Sequence, residues 1–279
     1  MLDEERMQII QNAIKNDEDC GAGMEESFSL EEMLFYMRSL QMVGGRVAKE
    51  TVEKMAKLAR KHRPWYVLMV SDGAVPYVEN GRGYLFTDPG MGMQAKKVYA
   101  SMGYDLALTK TDVYDELPFD MFARYGVDVV SINKGTFGIA LKTAVFTKNS
   151  QNENVRLNNS MLKFVLATKL GLDEEIKRLD NAVSDAIMES ELYFVPENGT
   201  NSPMQEIIDF TDGASAIGGY LFSDRQEAAR IYLNRISQLK KAPASKIFGA
   251  DPLIAKYILN PGSINLLVSQ GLVDSVINK

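Results

Sequence analysis

The chain has 279 residues, 46% hydrophobic and 24% charged, which suits one large or two ordinary globular units. No apolar run reaches the roughly 18 residues that a transmembrane helix needs, and a single cysteine, Cys20, rules out an internal disulfide or a thiolate metal cluster. The net charge of −6 argues against nucleic acid as a partner, since an acidic chain gains nothing from releasing counterions on a phosphate backbone.

That charge is uneven. Residues 1–32 hold ten Asp or Glu against Arg6 and Lys15, a local balance of −8 that leaves about +2 for the remainder. The order Met1-Leu2-Asp3-Glu4-Glu5 lacks the basic-then-apolar pattern of a signal peptide, and the expected location is the cytoplasm. Residues 3–16 place Met7, Ile10 and Ile14 on one face of a short helix, and the polar, glycine-bearing stretch 16–26 reads as a linker. Residues 1–28 are therefore expected to be an acidic helical extension.

A helix start follows. Ser29 and Glu32 make a capping box, with Phe28 and Met33 placed for a hydrophobic staple, and Gly44-Gly45 ends the helix. A second helix is predicted over 46–62, closed by Arg63-Pro64. Strands are predicted at 65–70, 75–79 and 82–87, the last two flanking the hairpin signal Asn80-Gly81. Asp88-Pro89 opens a helix, with aspartate at the cap and proline in the first turn. A strand at 104–109, a short helix at 118–125 and strands at 127–132 and 137–145 complete a unit spanning 29–147.

Residues 148–160 are polar and asparagine-rich and read as a linker. The order then recurs over 161–279. Helices are predicted at 161–170 and 172–190, and strands at 192–196, 206–210 and 219–223. A helix over 225–237 leads to a strand near 246–248, a helix at 251–257, a strand at 264–269 and a terminal helix at 272–277. The expected class is α+β: two tandem related units, each a helical pair followed by a mixed β-sheet backed by helices.

The tandem reading rests on echoes. Gly83-Tyr84-Leu85-Phe86-Thr87-Asp88 is answered by Gly219-Tyr220-Leu221-Phe222-Ser223-Asp224. In the same order, residues 94–99 answer 227–232, residues 121–125 answer 253–257, and Met33-Leu34 with Tyr36 answers Met161-Leu162 with Phe164. Asn133-Lys134-Gly135-Thr136 answers Asn260-Pro261-Gly262-Ser263. Five echoes in one order over nearly equal lengths point to one unit duplicated.

The strand ending in Phe86-Thr87 or Phe222-Ser223, with the later Asn-x-Gly-Thr/Ser turn, resembles the N-terminal domain of the SseB (enhanced serine sensitivity) family. The likeness covers 65–143 and 192–270; the second turn matches fully, whereas Lys134 replaces the family's proline in the first. The resemblance implies a small bacterial domain named for an effect on serine tolerance. It brings no catalytic residues.

No catalytic constellation accompanies these motifs. His62 is the only histidine and suits packing or capping near a helix C-terminus better than metal binding. Cys20 sits among carboxylates, which disfavour a thiolate. Gly90-Met91-Gly92 lacks the rest of a phosphate-binding loop. Asp88 and Asp224 read as helix N-caps. The two Asn turns are the better candidates, because successive amides there can form an anion-binding nest and Lys134 adds charge. The expected contact residues are Tyr84, Asp88, Asn133, Lys134 and Gly135 in the first unit, and Tyr220, Asp224, Asn260, Gly262 and Ser263 in the second. The expected role is a non-catalytic adaptor or regulatory module that binds a protein or peptide, with no enzyme activity, metal or cofactor. The alternative is a sensor of a small anion or amino acid.

Overall fold

The computed structural model describes residues 3–15, 27–70, 75–112, 116–135, 138–147, 153–197, 200–209, 214–268 and 270–277. Cys20, Thr136 and the predicted linker at 16–26 lie outside them. The chain divides into two compact units, the first holding residues 1–123 and 127–150 and the second residues 124–126 and 151–279. Each is described by itself.

Unit 1 opens with α1 (Glu4–Lys15), α2 (Leu30–Met42) and α3 (Lys49–Lys61). The Ser29–Glu32 capping box forms in both directions, and Phe28 and Met33 are both buried. The strands are β1 (Tyr66–Val70), β2 (Val78–Glu79), β3 (Arg82–Phe86), β4 (Leu106–Lys110), β5 (Val129–Ile132) and β6 (Ile139–Lys142). Asn80 and Gly81 both take positive φ, 52° and 72°, as the tight β2–β3 hairpin demands. The strands form a mixed sheet of order β4-β1-β3-β5-β6, with β2 also on β3; β3 and β5 run parallel and the other pairs antiparallel. Helix α4 (Pro89–Ser101) packs on β1, β3 and β4. Helix α5 (Pro118–Arg124) brings Phe122 against Gly83, where an added Cβ would come within 2.3 Å of the ring. The core gathers on Trp65, whose ring meets Phe119 edge-on at 5.3 Å, while Phe119 stacks on Phe146 at 4.1 Å.

Unit 2 begins with α6 (Val155–Lys169) and α7 (Asp173–Met188), and continues with β7 (Glu191–Phe194), β8 (Gln205–Asp209), β9 (Ser215–Leu221) and α8 (Arg225–Tyr232). Then come β10 (Lys240–Pro243), α9 (Ala244–Ile247), β11 (Lys256–Leu259), β12 (Leu266–Val268) and α10 (Gln270–Ile277). The strands form a sheet of order β12-β11-β9-β8 and a pair β10-β7, with a bridge from Tyr193 to Phe222 between β7 and β9. When β7 to β12 are matched to β1 to β6 in order, every pairing recurs with the same sense, including the parallel β9–β11 pair.

Several boundaries differ from the sequence reading. The N-terminal helix is part of unit 1 rather than an extension: Ile10 and Ala13 are buried, α1 packs on α2, and Arg6 pairs with Glu32 at 2.5 Å. The supposed linker at 148–160 contains the first turns of α6. Its asparagines have structural uses, because Asn158 and Asn159 donate to the backbone carbonyls of Arg124, Tyr125 and Gly126. No strand forms at 246–248. The strand is β10, whose Lys-Lys-Ala-Pro lacks β-branched residues and is held by pairing with β7 and by Lys241 lying 5.3 Å from the Tyr193 ring centre. The helix expected at 251–257 is a turn leading into β11, where burial alternates with the strand period of two. Its apparent echo, residues 121–125, lies mostly in α5. The β-ladder registers make Val130 the counterpart of Tyr257, through Gly83 and Gly219. The helix predicted at 225–237 stops at Tyr232 and continues as a 3-10 turn, Leu233–Gln238.

Candidate functional site

Each unit has the same corner where its third strand meets a helix. In unit 1 the Thr87 amide donates to Asn133 Oδ1 at 2.9 Å, Asn133 Nδ2 donates to Thr87 Oγ1 at 3.1 Å, and the Asn133 amide donates to the Leu85 carbonyl at 2.8 Å. In unit 2 the Ser223 amide donates to Asn260 Oδ1, and Asn260 Nδ2 to Ser223 Oγ, both at 2.9 Å, with the Asn260 amide on the Leu221 carbonyl at 2.9 Å. Both asparagines are fully buried and left-handed, at φ 55° and 49°, a conformation that asparagine tolerates better than most residues. Lys134 and Pro261 stand at the same place in these turns, and each is followed by a glycine of positive φ, Gly135 at 101° and Gly262 at 80°.

The turn groups of unit 2 face one another. The Gly262 amide donates to Asn265 Oδ1 at 2.8 Å and the Ser263 amide to the Asn260 carbonyl at 3.2 Å, so an anion at this turn would have to displace contacts within the chain. Asp88 caps α4 through the Gly90 and Met91 amides, and Asp224 caps α8 through those of Gln226 and Glu227. The oxygen of Ser263 donates to Glu227 at 2.6 Å, inside a buried charged group that composition and spacing do not announce. There Arg124, 2% exposed, pairs with the fully buried Glu227, approaches Asp224 at 3.9 Å and lies 4.6 Å from the Tyr125 ring centre. Removing one partner of such a pair would strand the other charge in the interior, which is strongly destabilising.

Tyr84 and Tyr220 lead to a different group. In unit 1 the β2–β3 hairpin places Glu79 beside Tyr84, and α4 brings Tyr99 over the same sheet face. Tyr84 and Tyr99 donate to Glu79 Oε2 at 2.8 and 3.3 Å, and Tyr77 stacks on Tyr84 at 6.1 Å. The ammonium of Lys134 covers the group. It donates to Tyr99 Oη at 2.8 Å, lies 4.6 and 5.2 Å from the Tyr84 and Tyr99 ring centres, and sits 3.8 Å from Glu79. Under this cover Tyr84 is 1% and Tyr99 4% exposed.

The same three residues recur in unit 2. Val78 pairs with Gly83 and Gln205 with Gly219, which makes Glu206 the counterpart of Glu79. The echo of residues 94–99 in 227–232 makes Tyr232 the counterpart of Tyr99. Tyr232 donates to Glu206, and the Tyr220 and Tyr232 rings lie 6.4 Å apart. Pro261 stands where unit 1 has Lys134, and Tyr220, Tyr232 and Glu206 are all half-exposed. Among the described residues Glu206 has no ion pair. Tyr84 and Tyr220 stand out in the sequence, whereas their partners Glu79, Tyr99, Glu206 and Tyr232 are brought to them only by strand pairing and helix packing.

His62 lies at the C-terminal end of α3, its ring 4.9 Å from Trp65 and its Nε2 buried without a hydrogen-bond partner. Among the described residues no group of His, Cys, Asp or Glu is placed to hold a metal ion. No described helix is long and apolar enough to cross a membrane.

Two expectations follow. Asn260→Ala leaves the buried Ser223 amide unpaired and puts a Cβ-bearing residue with no polar side chain into the left-handed region. The expected loss is about 3 kcal/mol in urea unfolding, and Asn260→Gly, which relieves the backbone, should lose less. The second concerns the phenols. Burial pushes Tyr84 up to about 12 from 10.0, with the Glu79 carboxylate also opposing ionisation, and burial pushes up Tyr99 as well. The folded chain therefore keeps protons that the unfolded chain releases. The stability these groups contribute is whole below about pH 10 and is lost as the pH rises through about 12. Urea midpoints should fall over that range, and Tyr84→Phe should make the fall shallower.

Comparison with family models, curated proteins and solved structures finds no match in any of the three.

Proposed function

We propose that this chain is a non-catalytic cytoplasmic adaptor or regulatory module that binds a protein or peptide, built by duplication of one SseB-like unit. The duplication is supported by the recurrence of strand order, corner and tyrosine–glutamate group in both units. The observation that carries the binding reading is the half-exposed Tyr220–Tyr232–Glu206 group of unit 2. An aromatic pair beside a carboxylate that makes no ion pair among the described residues is well suited to recognition, because tyrosine offers a large rigid surface with a polar tip.

The neighbouring strand strengthens this reading. β8 is the outermost strand of its sheet, and Ile207 on it is 73% exposed opposite Ile217, 41% exposed. Natural proteins blunt or cover such edges, and extended peptides commonly add to them as a further strand. The corresponding strand of unit 1 is shorter: β2 has two residues and offers little comparable edge.

Native mass spectrometry of the full chain enriched from its own lysate should show a stoichiometric protein adduct. Ile207→Lys combined with Tyr232→Ala should deplete that adduct by about tenfold or more, the scale of one or two lost anchor residues. An undiminished adduct on the folded double variant would remove this face from the reading.

A further inference from the structure

In unit 1 the tyrosine–glutamate group already holds a cation. The Lys134 ammonium lies within 4.6 and 5.2 Å of two ring centres, donates to Tyr99 and Tyr84, and faces Glu79 at 3.8 Å. Ring faces and a carboxylate are what a desolvated ammonium needs, and the attraction grows as water is excluded. Unit 2 keeps both tyrosines and the glutamate but has Pro261 at the lysine position, and its group is half-exposed instead of covered.

We infer that Tyr220, Tyr232 and Glu206 form a recognition site for an alkylammonium, of which Lys134 is the internal counterpart in unit 1. The ligand class is the lysine side chain, free or methylated, presented by a protein or peptide. The inference rests on the binding-module reading for the source of the ammonium, though not for the site itself. Three features of the two units agree on it. The strand registers match Glu206 to Glu79, the helix echo matches Tyr232 to Tyr99, and Pro261 follows the left-handed Asn260 as Lys134 follows the left-handed Asn133. The carboxylate also distinguishes cation from apolar ligands, since burying Glu206 under an uncharged group would leave its charge without compensation.

The test is 19F NMR of the full chain carrying 3-fluorotyrosine, with the Tyr220 and Tyr232 signals assigned by Tyr220→Phe and Tyr232→Phe. The probes are acetyl-Gly-Lys-Gly-amide, its trimethyl-lysine and norleucine analogues, and n-butylammonium. Both signals should move saturably with the lysine and trimethyl-lysine peptides, and about tenfold or more weakly with norleucine. Pro261→Lys should abolish the response by supplying the cation internally, and Glu206→Gln should weaken it by about tenfold. Tighter binding of the lysine peptide than of n-butylammonium assigns the site to a protein lysine; equal binding assigns it to a free amine and keeps the site.

Equal responses to lysine and norleucine overturn the inference, as does a wild-type response from folded Pro261→Lys. Silence to every probe, with the protein adduct still present by native mass spectrometry, overturns the ammonium site alone and leaves the binding module standing. A saturable lysine response without any adduct does the reverse.

Discussion

The corner asparagine is the constraint on which each unit is arranged. A chain leaving a central strand for a helix must satisfy the first amide beyond the ladder, and here a side chain from the neighbouring parallel strand does so. Asn133 and Asn260 each take that amide, return a bond to the hydroxyl and hold the left-handed turn that ends their own strand. The helix cap follows at once, through Asp88 or Asp224. Because the helix then starts at a fixed point, Tyr99 or Tyr232 arrives over the same sheet face as Tyr84 or Tyr220. Strand end, helix start and tyrosine group thus meet at one buried polar clamp.

The clamp also explains why the residue after asparagine is free to vary. The bonds that join the turn to the strand corner come from Asn133 or Asn260 and from backbone, and the side chain at 134 or 261 takes no part in them. Lysine there covers one tyrosine group, and proline supplies no ammonium to the other. Burial of Tyr84 and Tyr99 against half-exposure of Tyr220 and Tyr232 accompanies that exchange, together with the extra Tyr77 that stacks in unit 1.

Much of this was legible in the sequence where local chemistry determines local shape. The Ser29 capping box, the Asn80-Gly81 hairpin and the Asp-capped helices need only near neighbours, and they formed as read. The mixed α+β order was legible for the same reason. The features without a local signal depend on pairing at a distance. Glu79 precedes Gly83 by four residues and Glu206 precedes Gly219 by thirteen, because the second hairpin is longer. Only the strand register reveals them as counterparts. β10 escaped for a related reason, since its residues have little strand preference and follow their partner. Arg124 gave no signal at all, for its buried counter-charge lies 103 residues away.

The membership of residues 124–126 has a consequence for how the chain can be dissected. They belong to unit 2, while the residues on either side belong to unit 1, so neither unit is a continuous stretch of sequence. A single cut after residue 150 would therefore not yield two intact pieces. The C-terminal fragment would keep Glu227 in its interior but lose Arg124, the nearer of its two arginines, and the Asn158 and Asn159 amides would lose their carbonyls. Each unit therefore has to be taken as a discontinuous set of residues, and a boundary drawn at one point in the sequence cuts through unit 2.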